Sequence, residues 1–175
     1  MATIPTVETE RFLLRGHRAA DLDAYAAMWG DPVVTRFLGS LSMTREAAWS
    51  RLLRQVGMWQ VLGIGFWAIE EKATGAFVGE SGFYDLKRDL TPSLEGTLEC
   101  GWGFVSALHG KGAATEVVTA VLRWADANHA GVPITCLINP DNAASLRVAA
   151  KHGFREFART TYHGEPTLLL QRQLA

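Results

Sequence analysis

The segment His109–Glu116 reads HGKGAATE and lies between a strand-like run ending near Val105 and a helical pattern beginning near Gly112. A glycine-rich turn feeding a helix N-terminus leaves backbone N–H groups unpaired at the positive end of the helix dipole. That combination suits an anion. Gly110 and Gly112 permit a tight loop, and the amides of Lys111–Thr115 are placed to cradle anionic oxygens. Ala113 and Ala114 keep side chains small where an anion approaches, and Thr115 adds a hydroxyl. The bland alternative is a plain helix-start turn. A nucleotide-triphosphate loop is excluded, because Lys111 lies between the glycines instead of following the second. The dinucleotide fingerprint is excluded too. Gly101-Trp102-Gly103 belongs to a strand, and Ser106 stands where a third glycine is required.

Two carboxylates stand out beside this loop. Glu99 and Glu80 each interrupt an otherwise apolar strand-like run. Burial disfavours the charged form of a carboxylate and raises its pKa toward the range of a general base. The alternatives for Glu99 are a structural carboxylate or one that only binds an ammonium group.

These residues need elements to place them. Phe12–Leu14 make a short first strand within Arg11–His17. Leu22, Tyr25, Ala26 and Trp29 recur at helical spacing over Ala20–Trp29, and Asp31-Pro32 breaks that helix. Gly39, Ser40 and Ser42 predict a flexible loop. A second helix follows over Thr44–Met58, with Thr44 as its cap. Gly65–Glu70, Ala76–Leu86 and Thr97–Val105 read as strands, the second one open to a split at Gly82. The polar stretch Lys87–Gly96 reads as a long exposed connection. Gly101 and Gly103 mark either a bulge or room for bulky neighbours such as Trp102. Gly112–Ala130 is the longest helix, with Val117, Val118, Val121, Leu122 and Ala125 on its apolar stripe. Ile134–Ile138, Ala143–His152, Phe154–Tyr162 and Pro166–Leu170 complete a strand, helix, strand, strand order. The order as a whole is α+β with a mixed sheet.

The bulk numbers narrow the class. The 175 residues suffice for one domain spanning 1–175. With 48% apolar and 20% charged residues and a net charge of -1, composition gives no reason to expect direct nucleic acid binding. Cys100 and Cys136 lack metal-ligand spacing, and no metal role is expected. No apolar run approaches the ~20 residues of a membrane span, and the N-terminal MATIPTVETE is not a signal peptide. A cytoplasmic location without membrane attachment is expected.

Three stretches together resemble the GNAT (GCN5-related) N-acetyltransferase superfamily, and within it the ribosomal-protein N-terminal alanine and serine acetyltransferases. They are ETERFLLR over 8–15, LECGWGFVSALHGKGAATEVVTAVL over 98–122 and NPDNAASLRVAAKHGF over 139–154. Gly112 and Ala114 match the family's pyrophosphate motif, whereas His109 replaces its usual Gln or Arg. Asn142, Ser145, Lys151, Gly153 and Phe154 match the subgroup's second motif. The resemblance implies a GNAT-like fold, with a mostly antiparallel sheet of six or seven strands flanked by about four helices.

It also implies an acetyl-CoA-dependent enzyme. The pyrophosphate would sit at His109–Thr115. The pantetheine arm would lie where a strand splays from its neighbour, at Phe104 and Val105 here, with Asn142 as helix cap and pantetheine contact. Aminolysis of a thioester needs a neutral amine and a proton route to the thiolate. Glu99 resembles the family's frequent catalytic or water-relaying glutamate, and Glu80 is the rival base. The tyrosine acid of many members is replaced by Ala149, so Ser145 is the candidate group at the coenzyme sulfur. Otherwise Ser145 bonds only its own helix. The acceptor implied is a protein or peptide N-terminal amine. Small amines such as amino acids, polyamines or antibiotics are the alternative, and a non-catalytic acyl-CoA-binding module is the third reading. Trp29, Phe37, Trp49, Trp59, Trp67, Phe83 and Tyr84 supply aromatic bulk in the acceptor half. Arg36 or Asp85 is a candidate polar contact, and Arg18 with Asp21 a candidate local pair. A monomer or a homodimer is equally compatible with the sequence.

Overall fold

The computed structural model describes residues 3–37 and 43–173, so the Gly39–Ser42 loop lies outside the described residues. Eight strands make one sheet: β1 (Val7–Glu8), β2 (Phe12–Arg15), β3 (Phe66–Glu71), β4 (Phe77–Tyr84), β5 (Leu98–Phe104), β6 (Ile134–Ile138), β7 (Phe154–Tyr162) and β8 (Glu165–Arg172). Their spatial order is β1-β2-β3-β4-β5-β6-β8-β7, and among the described residues only β5 and β6 run parallel. The helices are α1 (Leu22–Gly30), α2 (Pro32–Thr35), α3 (Arg45–Leu62), α4 (Ala113–Asn128) and α5 (Ala143–Lys151).

The sheet thus has one strand more than the sequence implied, because Val7 and Glu8 pair with Leu14 and Leu13. The extra helix is α2. Asp31-Pro32 does end α1, but Asp31 Oδ1 then accepts from Val33 N at 2.8 Å and starts a new turn. The fixed φ of Pro32 suits a first helical position, where no N–H is needed. Gly82 does not split β4. A Cβ there would lie 2.1 Å from the Gly65 carbonyl oxygen, so glycine lets β3 and β4 approach. The connection after β4 is only partly exposed, since Leu90 is buried and Arg88 reaches inward.

Side-chain alternation divides the sheet into two faces. On one face the predicted stripe of α4 is buried against Val78, Phe83, Leu98, Cys100 and Phe104. Trp59, Trp67 and Trp124 meet within this core, with ring centroids 4.6–5.6 Å apart. On the other face, cross-strand pairing puts Glu80, Gly82 and Tyr84 beside Gly103, Gly101 and Glu99. Helices α1 and α3 cover part of that face.

The decisive irregularity lies between β5 and β6. They pair only at Leu98–Ile134 and Glu99–Thr135. Beyond that point β5 stays with β4 as far as Phe104, while β6 stays with β8 as far as Ile138. The two strands part, and the gap opens beside the glycine loop that leads into α4.

Candidate active site

Backbone geometry sets the loop. Gly110 and Gly112 have φ of 75° and 78°, a left-handed conformation that L side chains resist. Gly112 is the N-cap residue of α4, and Glu116 N to Gly112 O is the first helical bond. The amides of Ala113, Ala114 and Thr115 precede it and have no carbonyl to reach within the helix. Lys111 N differs, since it donates to Leu108 O at 3.3 Å. Within the expected Lys111–Thr115 stretch, the amides of Gly112–Thr115 are therefore the ones with no backbone acceptor among the described residues.

The open edge of β5 supplies a further donor. Successive N–H groups of a strand point to opposite edges. Val105 N donates to Val78 O of β4 at 3.0 Å, so Phe104 N–H faces the gap. Of the two residues expected to meet the pantetheine arm, Phe104 has its amide there and Val105 has spent its own on β4. His109 has a definite task despite its departure from Gln or Arg. Its Nε2 lies 3.0 Å from Phe104 O. A carbonyl can only accept, so this nitrogen carries the proton and ties the loop to the end of β5.

Across the gap stands α5. Asn142 Oδ1 accepts from Ser145 N at 3.0 Å and caps the helix. Ser145 Oγ is half-buried and makes no hydrogen bond among the described residues, so it is not turned back onto its own helix. Ala149 is wholly buried in the core.

The two carboxylates lie on the face opposite α4, and neither stands alone as the sequence suggested. Glu99 is gripped by Arg88, whose Nε and Nη2 each donate to one carboxylate oxygen at 2.7 Å. Arg88 Nη1 also donates to the Tyr162 hydroxyl at 2.5 Å. Arg88 thereby links the β4–β5 connection, β5 and the end of β7. Glu80 is fully buried. Its Oε1 accepts from Arg51 Nη2 at 2.9 Å, and its Oε2 lies 3.4 Å from Gln55 Nε2 and 3.3 Å from His17 Nε2. Burial pushes the Glu80 carboxyl up, but Arg51 and His17 outweigh it and hold the pKa below its ordinary value. Arg51 also donates to Tyr25 and Tyr84 and lies over the Trp29 ring.

Packing settles the two strand glycines. A Cβ on Gly101 would lie 2.7 Å from Phe66, and one on Gly103 3.2 Å from Trp29. They make room for aromatics, though on the opposite face from Trp102, which packs in the main core. Of the seven aromatics, Trp29, Trp59, Trp67, Phe83 and Tyr84 are buried in the core, and Phe37 and Trp49 are half-buried. Asp21 pairs with Arg15 at 2.8 Å and takes only the backbone N–H of Arg18, which corrects the expected Arg18–Asp21 pair. Arg36 lies over Phe37, and Asp85 pairs with Lys87.

Sequence reasoning missed three contributors. Arg51 and Arg88 come from segments read only as a helix and an exposed connection. Arg11 donates through N and Nε to the Glu116 carboxylate, at 2.9 and 2.7 Å, and through Nη1 to Lys111 O at 3.1 Å. Its place in the ETERFLLR run was visible, but nothing local in the sequence points to partners a hundred residues away.

Known proteins align with this arrangement. The chain is 28% identical over 153 residues to the uncharacterised N-acetyltransferase YoaA of Bacillus subtilis (strain 168), covering 87% of this chain and 84% of that one. A solved structure described as a GnaT-family acetyltransferase from Bordetella pertussis is 30% identical. It superposes with a TM-score of 0.85 over 97% of this chain and 99% of its own. The fold is also that of the ribosomal-protein-S5-alanine acetyltransferase from Vibrio fischeri, with 19% identity, a TM-score of 0.75 and 96% of each chain covered. Residues 11–155 match the acetyltransferase (GNAT) domain family. That match runs from the arginine clamped onto the glycine loop to just past the second motif, so the loop, the β5–β6 gap and α5 all fall inside it, and the chain belongs to the GNAT acetyltransferases.

Proposed function

We propose that this acetyl-CoA-dependent acetyltransferase passes the acetyl group directly to a primary amine, the N-terminal α-amine of a protein or peptide. The observation that carries the donor side is the parting of β5 from β6 next to the amides of Gly112–Thr115. Acetyl-CoA, when bound, supplies a pyrophosphate for those amides and a thioester carbonyl for the gap. Within the gap, Phe104 N–H points to where that carbonyl oxygen would accept, and such a fixed donor stabilises charge developing there. Ser145 Oγ, with no competing partner among the described residues, donates toward the sulfur side and assists proton delivery to the leaving thiolate. Gly112 and Ala114 leave room for phosphate oxygens, whereas the Ala113 methyl, expected to face the anion, is buried in the core and only its amide is offered; Asn142 fixes the first turn of α5.

The acceptor enters from the face that carries Glu80 and Glu99. An ammonium group is not nucleophilic, so a proton must leave before attack. Glu99 is the proposed receiver, directly or through one water, because β5 departs from β6 immediately after it. Arg88 holds its carboxylate in place and must yield an oxygen for that step. Glu80 is the second candidate. With no exposed surface and a guanidinium on Oε1, it better suits fixing Arg51 than meeting the amine itself.

The peptide acceptor is supported by the ETERFLLR and NPDNAASLRVAAKHGF stretches and by the fold shared with a ribosomal-protein acetyltransferase. The polar cluster of Arg88, Glu99 and Tyr162 supports a small polar amine as the second reading. The test is thiol release from acetyl-CoA against a mixed set of N-terminal peptides and small amines, with mass detection of products. Acetylated peptide α-amines are the expected outcome. Products from small amines alone would replace the first acceptor class with the second.

A further inference from the structure

We propose that Arg11 is a positioning residue for the donor's pyrophosphate, acting through the peptide between Lys111 and Gly112 and through the charge of Glu116. The inference rests on the assignment of the glycine loop to acetyl-CoA. Arg11 precedes β2, a hundred residues before the Lys111 carbonyl it holds. Three of its nitrogens are engaged: N and Nε on the two oxygens of Glu116, and Nη1 on Lys111 O at 3.1 Å.

The contact with Lys111 O has a directional consequence. A trans peptide is planar, and its C=O and N–H point in opposite directions. With Lys111 C=O drawn toward Arg11, Gly112 N–H is turned away from Arg11, to the far side of the loop. Gly112 sits in the left-handed region, where glycine tolerates either orientation of this peptide with little bias of its own. An external anchor therefore decides the orientation, and Arg11 supplies it. Loss of the anchor frees the peptide to rotate and to present an oxygen where an anion needs a hydrogen.

The contact with Glu116 acts on charge. Glu116 lies in the first turn of α4, close to the dipole end that attracts the pyrophosphate. Left alone, its carboxylate opposes a bound anion. Arg11 cancels it with a bidentate contact and holds the Glu116 carboxyl below its ordinary pKa, against the opposing effect of partial burial. The guanidinium also lies close to the Gly112 backbone, since a Cβ there would be 3.8 Å from Nη2. Its positive charge therefore stands close behind the loop, on the side opposite the Gly112 N–H, and still adds to the attraction felt by an anion there.

The pair is partly exposed, with 42% of the Arg11 side chain accessible, so neutral substitutions leave the core intact. The test is titration calorimetry with CoA on wild type, R11Q, E116Q and R11Q/E116Q, at low and high salt. Failure of the wild type to bind CoA would refute the donor-site assignment itself, independently of Arg11. Given wild-type binding, R11Q is expected to weaken CoA about tenfold at low salt, with a smaller loss at high salt. E116Q is expected to bind within about twofold of wild type, and the double variant to recover part of the R11Q loss. R11Q binding as wild type overturns the proposal. So do equal, salt-independent losses in R11Q, E116Q and the double variant, which identify the pair as a mere pin between β2 and α4.

Discussion

Replacing Arg51 with methionine isolates the dependence of a buried carboxylate on one guanidinium. Glu80 has no exposed surface, and Arg51 Nη2 donates to its Oε1 at 2.9 Å. Methionine keeps apolar contact with Trp29 but removes the charge. Stranding one partner of a buried ion pair costs about 3–5 kcal/mol. The Gln55 amide, 3.4 Å from Oε2, remains as a weak donor and returns about 1 kcal/mol at most. The expected loss near neutrality is therefore about 2–4 kcal/mol, or a fall in Tm of roughly 4–16 °C for a chain of this size. The pH dependence carries the sharper test. In the wild type the Glu80 pKa lies below its ordinary value of 4.5. Its contribution is complete above that pH and is lost as the pH falls through the lower folded value. In R51M, burial loses its largest opponent while His17 stays 3.3 Å from Oε2, so the Glu80 pKa is expected to rise from its wild-type position. The variant's deficit is then largest at high pH and shrinks as the buried acid takes up a proton. Urea unfolding of both proteins from about pH 5 to about pH 8 measures this directly. R51M/E80Q, which removes both charges, should regain at least half of the deficit. A deficit below about 1 kcal/mol, or one that does not change with pH, refutes the reasoning.

Other perturbations probe separate links. Gly82→Ala places a Cβ 2.1 Å from the Gly65 carbonyl, so β3 and β4 must separate, and a stability loss of about 3 kcal/mol or more is expected in urea melts. Glu99→Gln should lower turnover at least about tenfold while CoA affinity by calorimetry stays within about twofold; unchanged turnover removes Glu99 from the proton route. Asn142→Ala removes the acceptor for Ser145 N, and about 1 kcal/mol of stability should go with it. Burial pushes the Cys100 thiol up to about 12 and Cys136 well above its ordinary value, so native protein should not react with an aromatic disulfide near neutral pH, whereas urea-unfolded protein should.

What the sequence disclosed follows from the range of the forces involved. The α4 stripe, the Thr44 and Asn142 caps and the glycine turn are encoded within a few residues, and each has its predicted place in the structure. Val7–Glu8 was hidden because two residues carry no periodicity, and α2 because Asp31-Pro32 both stops one helix and starts another. At the glycine loop, Gly110 and Gly112 were readable as a tight turn, and both have a left-handed φ. The states of Glu80 and Glu99 were not readable. Their partners Arg51 and Arg88 arrive from a helix and a connection whose own patterns say nothing of a carboxylate. A buried acid with no visible cation was read as a raised pKa, and for Glu80 the guanidinium reverses that sign. Trp29 and Phe66, which Gly103 and Gly101 accommodate, were equally invisible, since nothing local distinguishes the face of a strand that receives an aromatic ring.

The two-rung junction between β5 and β6 makes the sheet a pair of wedges sharing a short seam. One wedge runs from β1 to β5, and the other holds β6, β8 and β7. Along the rest of the seam, main-chain groups of Cys100–Phe104 face the gap where a neighbouring strand would otherwise lie. With acetyl-CoA placed as proposed, an extended ligand that carries its own amides would complete the ladder there and act as a missing strand. Filling the gap is then a folding event as much as a binding event. The free energy that holds the donor also cements the wedges, so occupancy should slow hydrogen exchange along both β5 and β6, well beyond the atoms the donor touches.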